Sequence, residues 1–387
     1  MKHKVYQELI RIINSVMGGT PLDAEGFDWD AIDDLAIRHR LCGMVYEAAK
    51  FRTDIPEDAL LHIRNHFFTA AGQQKRQEHY AEELDRVFRE KEIPYAALRG
   101  ARMRKLYPRP TYRLSGDLNF FVHPEHREDV ADILLGYGFR RSVTEEQGDH
   151  YILDHVEIHI HTSLRVRLQG MEDYYANVWD RLVTEDGILY DMTPEDFYIY
   201  EMALLQRNFI SNGVGIRSVV DIAVLRHAFP NLDRAYVDGE FKKIGISRFA
   251  SSMEALTDAW FADAPSDDDL LLLGKYIAGF GTPEYAELMY ASENMDLSAR
   301  EQRKHRTRKV ILPRRVMRMK YPCLRKYPAL MPLFWFARIF TVPFGPKNAE
   351  LQEIESATVR RRVEDLALRL RAIAGLDEKP GEYLEES

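Results

Sequence analysis

The chain has 387 residues, of which 45% are hydrophobic, and its formal net charge is -8. A charged fraction of 29% and an aromatic fraction of 11% are ordinary for a soluble globular protein, and the length predicts two or three domains. The two cysteines, Cys42 and Cys323, form no metal-site or disulfide pattern, which favours a reducing, cytoplasmic location. We expect no signal peptide and, because no run of about 18 apolar residues occurs, no transmembrane helix.

The first ninety residues are predicted to be helical. Tyr6, Leu9 and Ile13 recur at helical spacing, and Asp54-Ile55-Pro56-Glu57 has the proline and early acids of a helix start. The helix that begins there is expected to continue to about Arg89. We therefore assign residues 1–90 to an N-terminal helical region.

Residues 91–190 alternate between strand and helix patterns and predict a small mixed sheet. A helix is expected over Glu125–Leu135, and Asp154-His155 is expected to form a tight turn between two strands. The predicted strands are Ile93–Leu98, Arg113–Val122, Phe139–Val143, His150–Leu153 and Val156–His161.

The remaining chain divides into a helical domain, 191–295, and a final region, 296–387. The helical domain begins at Thr193-Pro194-Glu195-Asp196, an N-cap followed by proline and two acids. Arg300–Lys347 contains fourteen Lys or Arg residues, one acid and several prolines, and a charged helix is predicted over Ala349–Ala374. The basic segment either binds an anionic partner such as nucleic acid or is solvated and paired with the acidic remainder; the second interpretation is favoured.

Two predicted strands carry the polar side chains of a candidate site. Residues two apart in a strand share a face, so Asp117 lies beside Asn119, and Glu157 lies beside His159 and His161. Two carboxylates at i and i+2 and a third on a neighbouring strand can hold Mg²⁺ ions that activate a hydroxyl and stabilise a pyrophosphate leaving group. Here the second position is an Asn. The alternative is that the carboxylates are only a turn residue and a solvated strand residue.

The order of several short motifs resembles that of a known enzyme family. The motifs are Leu98-Arg99-Gly100-Ala101, Leu106-Tyr107-Pro108, Arg113-Leu114-Ser115-Gly116-Asp117-Leu118-Asn119, Val156-Glu157-Ile158-His159 and Gly213-Val214-Gly215-Ile216-Arg217-Ser218-Val219-Val220-Asp221. Together they resemble the uncharacterised nucleotidyltransferase family of the polymerase-β superfamily. The resemblance implies an α+β fold, with a nucleotidyltransferase-type mixed sheet core flanked by N-terminal and C-terminal helical regions.

The resemblance also implies roles for individual residues. Asp117, Asn119 and Glu157 would occupy the catalytic and metal-ligand positions, with Glu157 a ligand or the base for the acceptor hydroxyl. The implied nucleotide-binding residues are Arg99, Gly100, Arg113, Arg217 and Asp221, although Arg217 and Asp221 could instead form a buried ion pair. The chain departs from the family pattern at Arg99, where Lys is usual, at Asn119, where Asp is usual, and near Asn208, where histidines are frequent.

Histidines near the second strand offer a rival interpretation. His155, His159 and His161, with Glu157, could bind a transition metal if a second element helped. The possible helpers are His123, His126 and His150. A histidine-rich strand beside a phosphate pocket is the plainer interpretation.

The sequence therefore predicts a nucleotidyltransferase that moves a nucleoside monophosphate from an NTP to an acceptor hydroxyl with Mg²⁺. The alternative is a catalytically degenerate protein of the same fold that binds a nucleotide or a partner. The acceptor could be a sugar, a peptide or a protein, and the sequence indicates neither the preferred base nor the oligomeric state.

Overall fold

The computed structural model describes residues 3–98, 100–114, 116–145, 148–164, 171, 174–211, 213–282, 285–286, 288–289 and 357–377. Arg99 and the basic segment 300–347 lie outside these residues, so the predictions that rest on them stay predictions. The chain forms two units, one comprising Met1–Thr282 and Ala372–Ser387, the other Pro283–Arg371. Helix α12 (Ala357–Ile373) begins in the described part of the second unit.

The N-terminal region is helical, as predicted. Helices α1 (His3–Gly18), α2 (Trp29–His39) and α3 (Cys42–Ala49) precede the long helix α4 (Glu57–Glu90). Helix α4 begins directly after Pro56 and has Glu57 and Asp58 in its first turn, where the helix dipole favours acids.

Seven strands form one mixed sheet in the described part of the chain. The elements in chain order are β1 (Tyr95–Leu98), α5 (Gly100–Leu106), β2 (Leu118–Val122), α6 (Arg127–Gly136), β3 (Arg140–Glu145), β4 (Gly148–Leu153), β5 (Val156–His161), β6 (Leu182–Thr184) and β7 (Leu189–Met192). The spatial order is β3-β4-β5-β2-β1-β7-β6. Strand β2 pairs in parallel with β5 and antiparallel with β1. The sheet and its flanking helices confirm the predicted α+β fold, whereas β6 and β7 were not predicted.

The alternation of side chains along the central strands sets the two faces of the sheet. Leu118 and Phe120 of β2, with Ile158 and Ile160 of β5, belong to a buried apolar cluster that includes Phe88 of α4. Each such side chain contributes roughly 1.5–3 kcal/mol by burial. The intervening polar residues are consequently directed to the opposite face.

Helices from the C-terminal half complete the first unit. They are α7 (Pro194–Ser211), α8 (Ile216–Ala228), α9 (Arg234–Ile244), α10 (Ser247–Phe261) and α11 (Asp268–Ala278). Among the described residues, no helix combines the length and the apolar character needed to cross a bilayer.

Candidate active site

The two predicted carboxylates lie at the same level of neighbouring parallel strands. Asp117 immediately precedes β2, and Glu157 is the second residue of β5. The strand register pairs Leu118 with Ile158 and Asn119 with His159, which places Asp117 level with Glu157. Their side chains are 41% and 55% exposed, so both are open to a ligand. The structure therefore brings together the three residues predicted for metal binding and catalysis, and their roles stay predictions.

A short chain of hydrogen bonds fixes the orientation of the Asn119 amide. Asn119 Nδ2 donates to Asp117 Oδ2 at 3.0 Å, and His161 Nε2 lies 2.8 Å from Asn119 Oδ1. A carboxylate can only accept, so the amide nitrogen must face Asp117 and the amide oxygen must face His161. His161 Nε2 consequently carries the proton and donates it. The Asn119 oxygen, the only atom of this side chain that could bind a metal, is thus engaged by His161.

Three histidines surround this network, and the pKa values of two of them, His159 and His161, are lowered. The His150 and His159 rings lie 3.8 Å apart between centroids, and His159 Nε2 is 3.9 Å from both Asp117 Oδ2 and Glu157 Oε2. Burial lowers the pKa of His159, and the neighbouring His150 lowers it further. Burial also lowers the pKa of His161 to about 4. The lowered pKa values of His159 and His161 mean that these two rings add no positive charge beside the carboxylates at neutral pH.

The structure gives no support to a histidine-ligated metal site in the part it describes. No group of three or more His, Cys, Asp or Glu side chains is arranged there to hold a metal ion. His123 is stacked on Trp179, with 3.7 Å between ring centroids.

A buried ion pair anchors the segment that leads to Asp117. Arg113 Nε and Nη2 donate to Asp221 Oδ1 and Oδ2 at 2.7 and 2.9 Å, and Tyr107 adds a hydroxyl hydrogen bond of 2.6 Å. Burial would raise the pKa of the Asp221 carboxyl, but Arg113 and the hydrogen bonds hold that pKa below its ordinary value. The guanidinium of Arg113 is 4% exposed, which favours a positioning role; its predicted phosphate contact stays a prediction.

Helix α8, which carries Asp221, also holds the segment before Asp117 through a residue of its first turn. Arg217 Nη1 of α8 donates to the carbonyl oxygen of Leu114 at 2.7 Å. Asp221 therefore has Arg113 as its bidentate partner, and Arg217 contacts the backbone just before Asp117. The element Gly213–Asp221 thus fastens the polar end of β2 to α8.

A histidine joins the end of α2 to the start of α8. The Ile216 backbone N–H donates to His39 Nδ1 at 3.0 Å, and His39 Nε2 lies 3.3 Å from the Ala278 carbonyl oxygen. A β-carbon on Gly215 would lie 2.4 Å from His39 Nδ1, so glycine is required for this approach. Burial lowers the pKa of His39 to about 3, which keeps Nδ1 available as an acceptor.

Gly100 begins the helix that follows β1, the strand next to β2. It is the first residue of α5 and follows β1, whose last residue Leu98 pairs with Asn119. The start of α5 therefore lies at the same end of the central strands as Asp117 and Glu157. The predicted contact between Gly100 and a triphosphate stays a prediction.

One charged residue of this region was missed by sequence reasoning. Arg40, which follows α2, places its guanidinium beside Gly116: a β-carbon on Gly116 would lie 2.1 Å from Arg40 Nη1. No motif marks Arg40, because it lies 77 positions before Asp117 and its neighbours carry no chemical pattern. Only the folded chain brings it to the site.

Comparison with known proteins supplies the family. The model of a family described as "Uncharacterised nucleotidyltransferase" matches residues 25–262, which is more than half of the chain. The chain belongs to this family. The matched residues include all of the predicted site and also Arg40. No curated protein and no solved structure matches the chain. The general assignment is thus that of a nucleotidyltransferase family member.

Proposed function

We propose that the protein transfers a nucleoside monophosphate from an NTP to an acceptor hydroxyl. The observation that carries the proposal is the pair of exposed carboxylates, Asp117 and Glu157, level with each other on parallel strands. The family match and the adjoining β1–α5 connection support it.

The donor set fits one divalent cation better than two. Mg²⁺ typically uses one or two protein carboxylates and completes its octahedron with water and substrate phosphates. Asp117 and Glu157 meet that requirement, and both approach the same atom, His159 Nε2, at 3.9 Å. Asn119 is a weak ligand for a second ion, because its amide is neutral and its oxygen already accepts one hydrogen bond from His161. The residues that would hold Mg²⁺ are therefore Asp117 and Glu157.

Side chains of the protein would accept the proton of the acceptor hydroxyl and keep the metal ligands oriented. Of the two carboxylates that would hold Mg²⁺, Glu157 is the more exposed, and its second oxygen is placed to accept the proton of the acceptor hydroxyl. The acceptor oxygen then bonds to the α-phosphorus, the bond from that phosphorus to the bridging oxygen breaks, and pyrophosphate leaves. A bound Mg²⁺ would polarise the phosphate oxygens and neutralise their charge. Asn119 keeps Asp117 oriented through its amide hydrogen bond.

Calorimetric titration of each of the four NTPs with Mg²⁺ into the wild-type protein and an Asp117→Ala variant tests the proposal. We expect binding by the wild type and at least about tenfold weaker binding by the variant, because a charged ligand contact is worth about 1.5–3 kcal/mol. Asp132→Asn is the matched control, since Asp132 is exposed on α6, which packs against the other face of the sheet. Equal binding by wild type and Asp117→Ala would remove Asp117 from the site.

The alternative proposal is a nucleotide- or partner-binding protein without catalysis. The observation that favours it is the neutral amide of Asn119 at the second ligand position, which brings no negative charge to a metal and whose oxygen accepts a hydrogen bond from His161. An Asn119→Asp variant separates the two proposals. New NTP turnover in the variant, with none in the wild type, would identify a site that has lost catalysis. Turnover by the wild type that falls in the variant would identify Asn119 as part of a working enzyme.

A further inference from the structure

Arg40 presents its guanidinium beside Gly116, the residue that precedes Asp117. Its side chain is exposed, and within the described residues it forms no hydrogen bond or ion pair. The guanidinium nevertheless lies against the Gly116 backbone, because a β-carbon there would be 2.1 Å from Nη1 and 2.9 Å from both Cζ and Nη2. A cation thus lies against the backbone one residue before Asp117, and no carboxylate of the described residues forms an ion pair with it.

The backbone of Arg40 is in a conformation that its side chain disfavours. Arg40 caps α2 in the left-handed region, with φ 56° and ψ 43°, where Gly or Asn is usual. The cap requires only the Arg40 backbone N–H, which points to the carbonyl oxygens of Ala36 and Ile37. Glycine would supply that N–H with less strain. The fold therefore accounts for the backbone of residue 40 but not for its guanidinium.

The position of Arg40 relative to Asp117 is fixed by neighbouring contacts. The adjacent His39 accepts from the Ile216 N–H at the start of α8. In the same turn of α8, Arg217 donates to the Leu114 carbonyl oxygen, which holds the segment before Gly116. Arg40 and Gly116 are consequently each held, through a nearby residue, by the same helix, α8.

We infer that Arg40 binds a phosphate oxygen of the NTP's polyphosphate chain. This inference rests on the proposed function and assigns the contact to a residue of the N-terminal helical region. Asp117 and Glu157 add two negative charges beside the bound triphosphate, so a single Mg²⁺ leaves most of the negative charge of that triphosphate unbalanced. A guanidinium has the planar pair of donors that matches two phosphate oxygens.

The test uses calorimetry of the full-length protein with each Mg-NTP and, separately, with inorganic tripolyphosphate. Arg40→Gly and Arg40→Gln are compared with the wild type and with Arg64→Gln, which removes an exposed arginine of α4 that has no ion pair among the described residues. We expect both Arg40 variants to bind NTP and tripolyphosphate about 10- to 100-fold more weakly, as loss of a charged hydrogen bond implies, and Arg64→Gln to bind like the wild type.

Thermal unfolding of the same proteins separates binding from folding. We expect Arg40→Gly to unfold at the wild-type temperature or above it, since glycine relieves the left-handed backbone. NTP binding by Arg40→Gly within about twofold of the wild type, or a lower melting temperature that accompanies its weaker binding, would overturn the inference. Undiminished NTP binding by Arg40→Gly would overturn the role of Arg40 but leave the proposed nucleotidyltransferase function intact. Absence of NTP and tripolyphosphate binding by the wild type would overturn the proposed function and the role of Arg40 together.

Discussion

Restoring the second carboxylate with Asn119→Asp changes the balance of charge at the polar end of β2. The Asn119 amide now donates to Asp117 Oδ2 at 3.0 Å, and the substitution replaces this donor with a second acceptor. Loss of a hydrogen bond to a charged group costs about 1.5–3 kcal/mol. Repulsion between the two part-exposed carboxylates adds roughly 1 kcal/mol, and the retained donor His161 offsets a similar amount.

The expected result is a free energy of unfolding about 2 kcal/mol lower than that of the wild type at about pH 8 without divalent cations. The like charge raises the pKa of one carboxyl in the folded state, so the folded variant binds the extra proton more tightly than the unfolded chain. The deficit is therefore greatest above that raised pKa and shrinks as the pH falls through it. Denaturant unfolding followed by circular dichroism, at about pH 8 and about pH 5, measures both values.

Divalent cations should restore much of the lost stability in Asn119→Asp. A cation present at about ten times its dissociation constant adds about 1.4 kcal/mol to the folded state. Asn65→Asp adds the same charge at an exposed position of α4 and should stay within about 0.5 kcal/mol of the wild type. Wild-type stability in Asn119→Asp at both pH values, with no response to Mg²⁺, would refute the contact between Asn119 and Asp117.

Three further outcomes follow from the anchors of the site. Asp221→Asn should lower the free energy of unfolding by about 3–5 kcal/mol, because it leaves the buried Arg113 charge uncompensated, whereas Asp258→Asn should cost less than about 1 kcal/mol in the same denaturant assay. Gly215→Ala should cost about 1–3 kcal/mol in calorimetric unfolding, since its β-carbon would lie 2.4 Å from His39 Nδ1; an unchanged melting temperature would contradict this close approach. The pKa of His39 is lowered to about 3, so between that value and the ordinary histidine pKa this residue is protonated in the unfolded chain but not in the folded one. The free energy of unfolding therefore falls by up to about 1.4 kcal/mol for each pH unit as the pH is lowered through this range. NMR of the His39 imidazole should show no protonation at about pH 5, and a normal titration would be the contrary result.

The sequence predicted the central strands because their pattern is local. Leu118, Phe120, Ile158 and Ile160 alternate with polar residues, and this period of two identifies both the strand and its buried face. Strands β6 and β7 were missed because they are only three and four residues long, and Val183 within β6 is 53% exposed. Such short edge strands are defined by pairing, not by a hydrophobic pattern.

The partners of the site residues could not be read from the sequence. Motif order marked Asp117, Asn119 and Glu157, and the parallel pairing of β2 with β5 brought them together. The hydrogen bond from His161 to Asn119 depends on that register, which no local pattern specifies. The partners of Asp221 and the approach of Arg40 likewise depend on contacts between distant segments.

The attachment of the Asp117 segment to α8 has a consequence for the order of folding. Arg113 and Asp221 are separated by 108 positions, and His39 and Ile216 by 177, so these contacts close large chain loops. Closure of such loops carries a high entropic cost and is slow compared with local helix and hairpin formation. A nascent chain that ends before α8 can pair β1 with β2 but lacks the partners of Arg113 and Leu114. The geometry of the candidate site is thus acquired late, after synthesis of α8, and a truncation before Asp221 should yield a sheet in which the segment before Asp117 is not anchored.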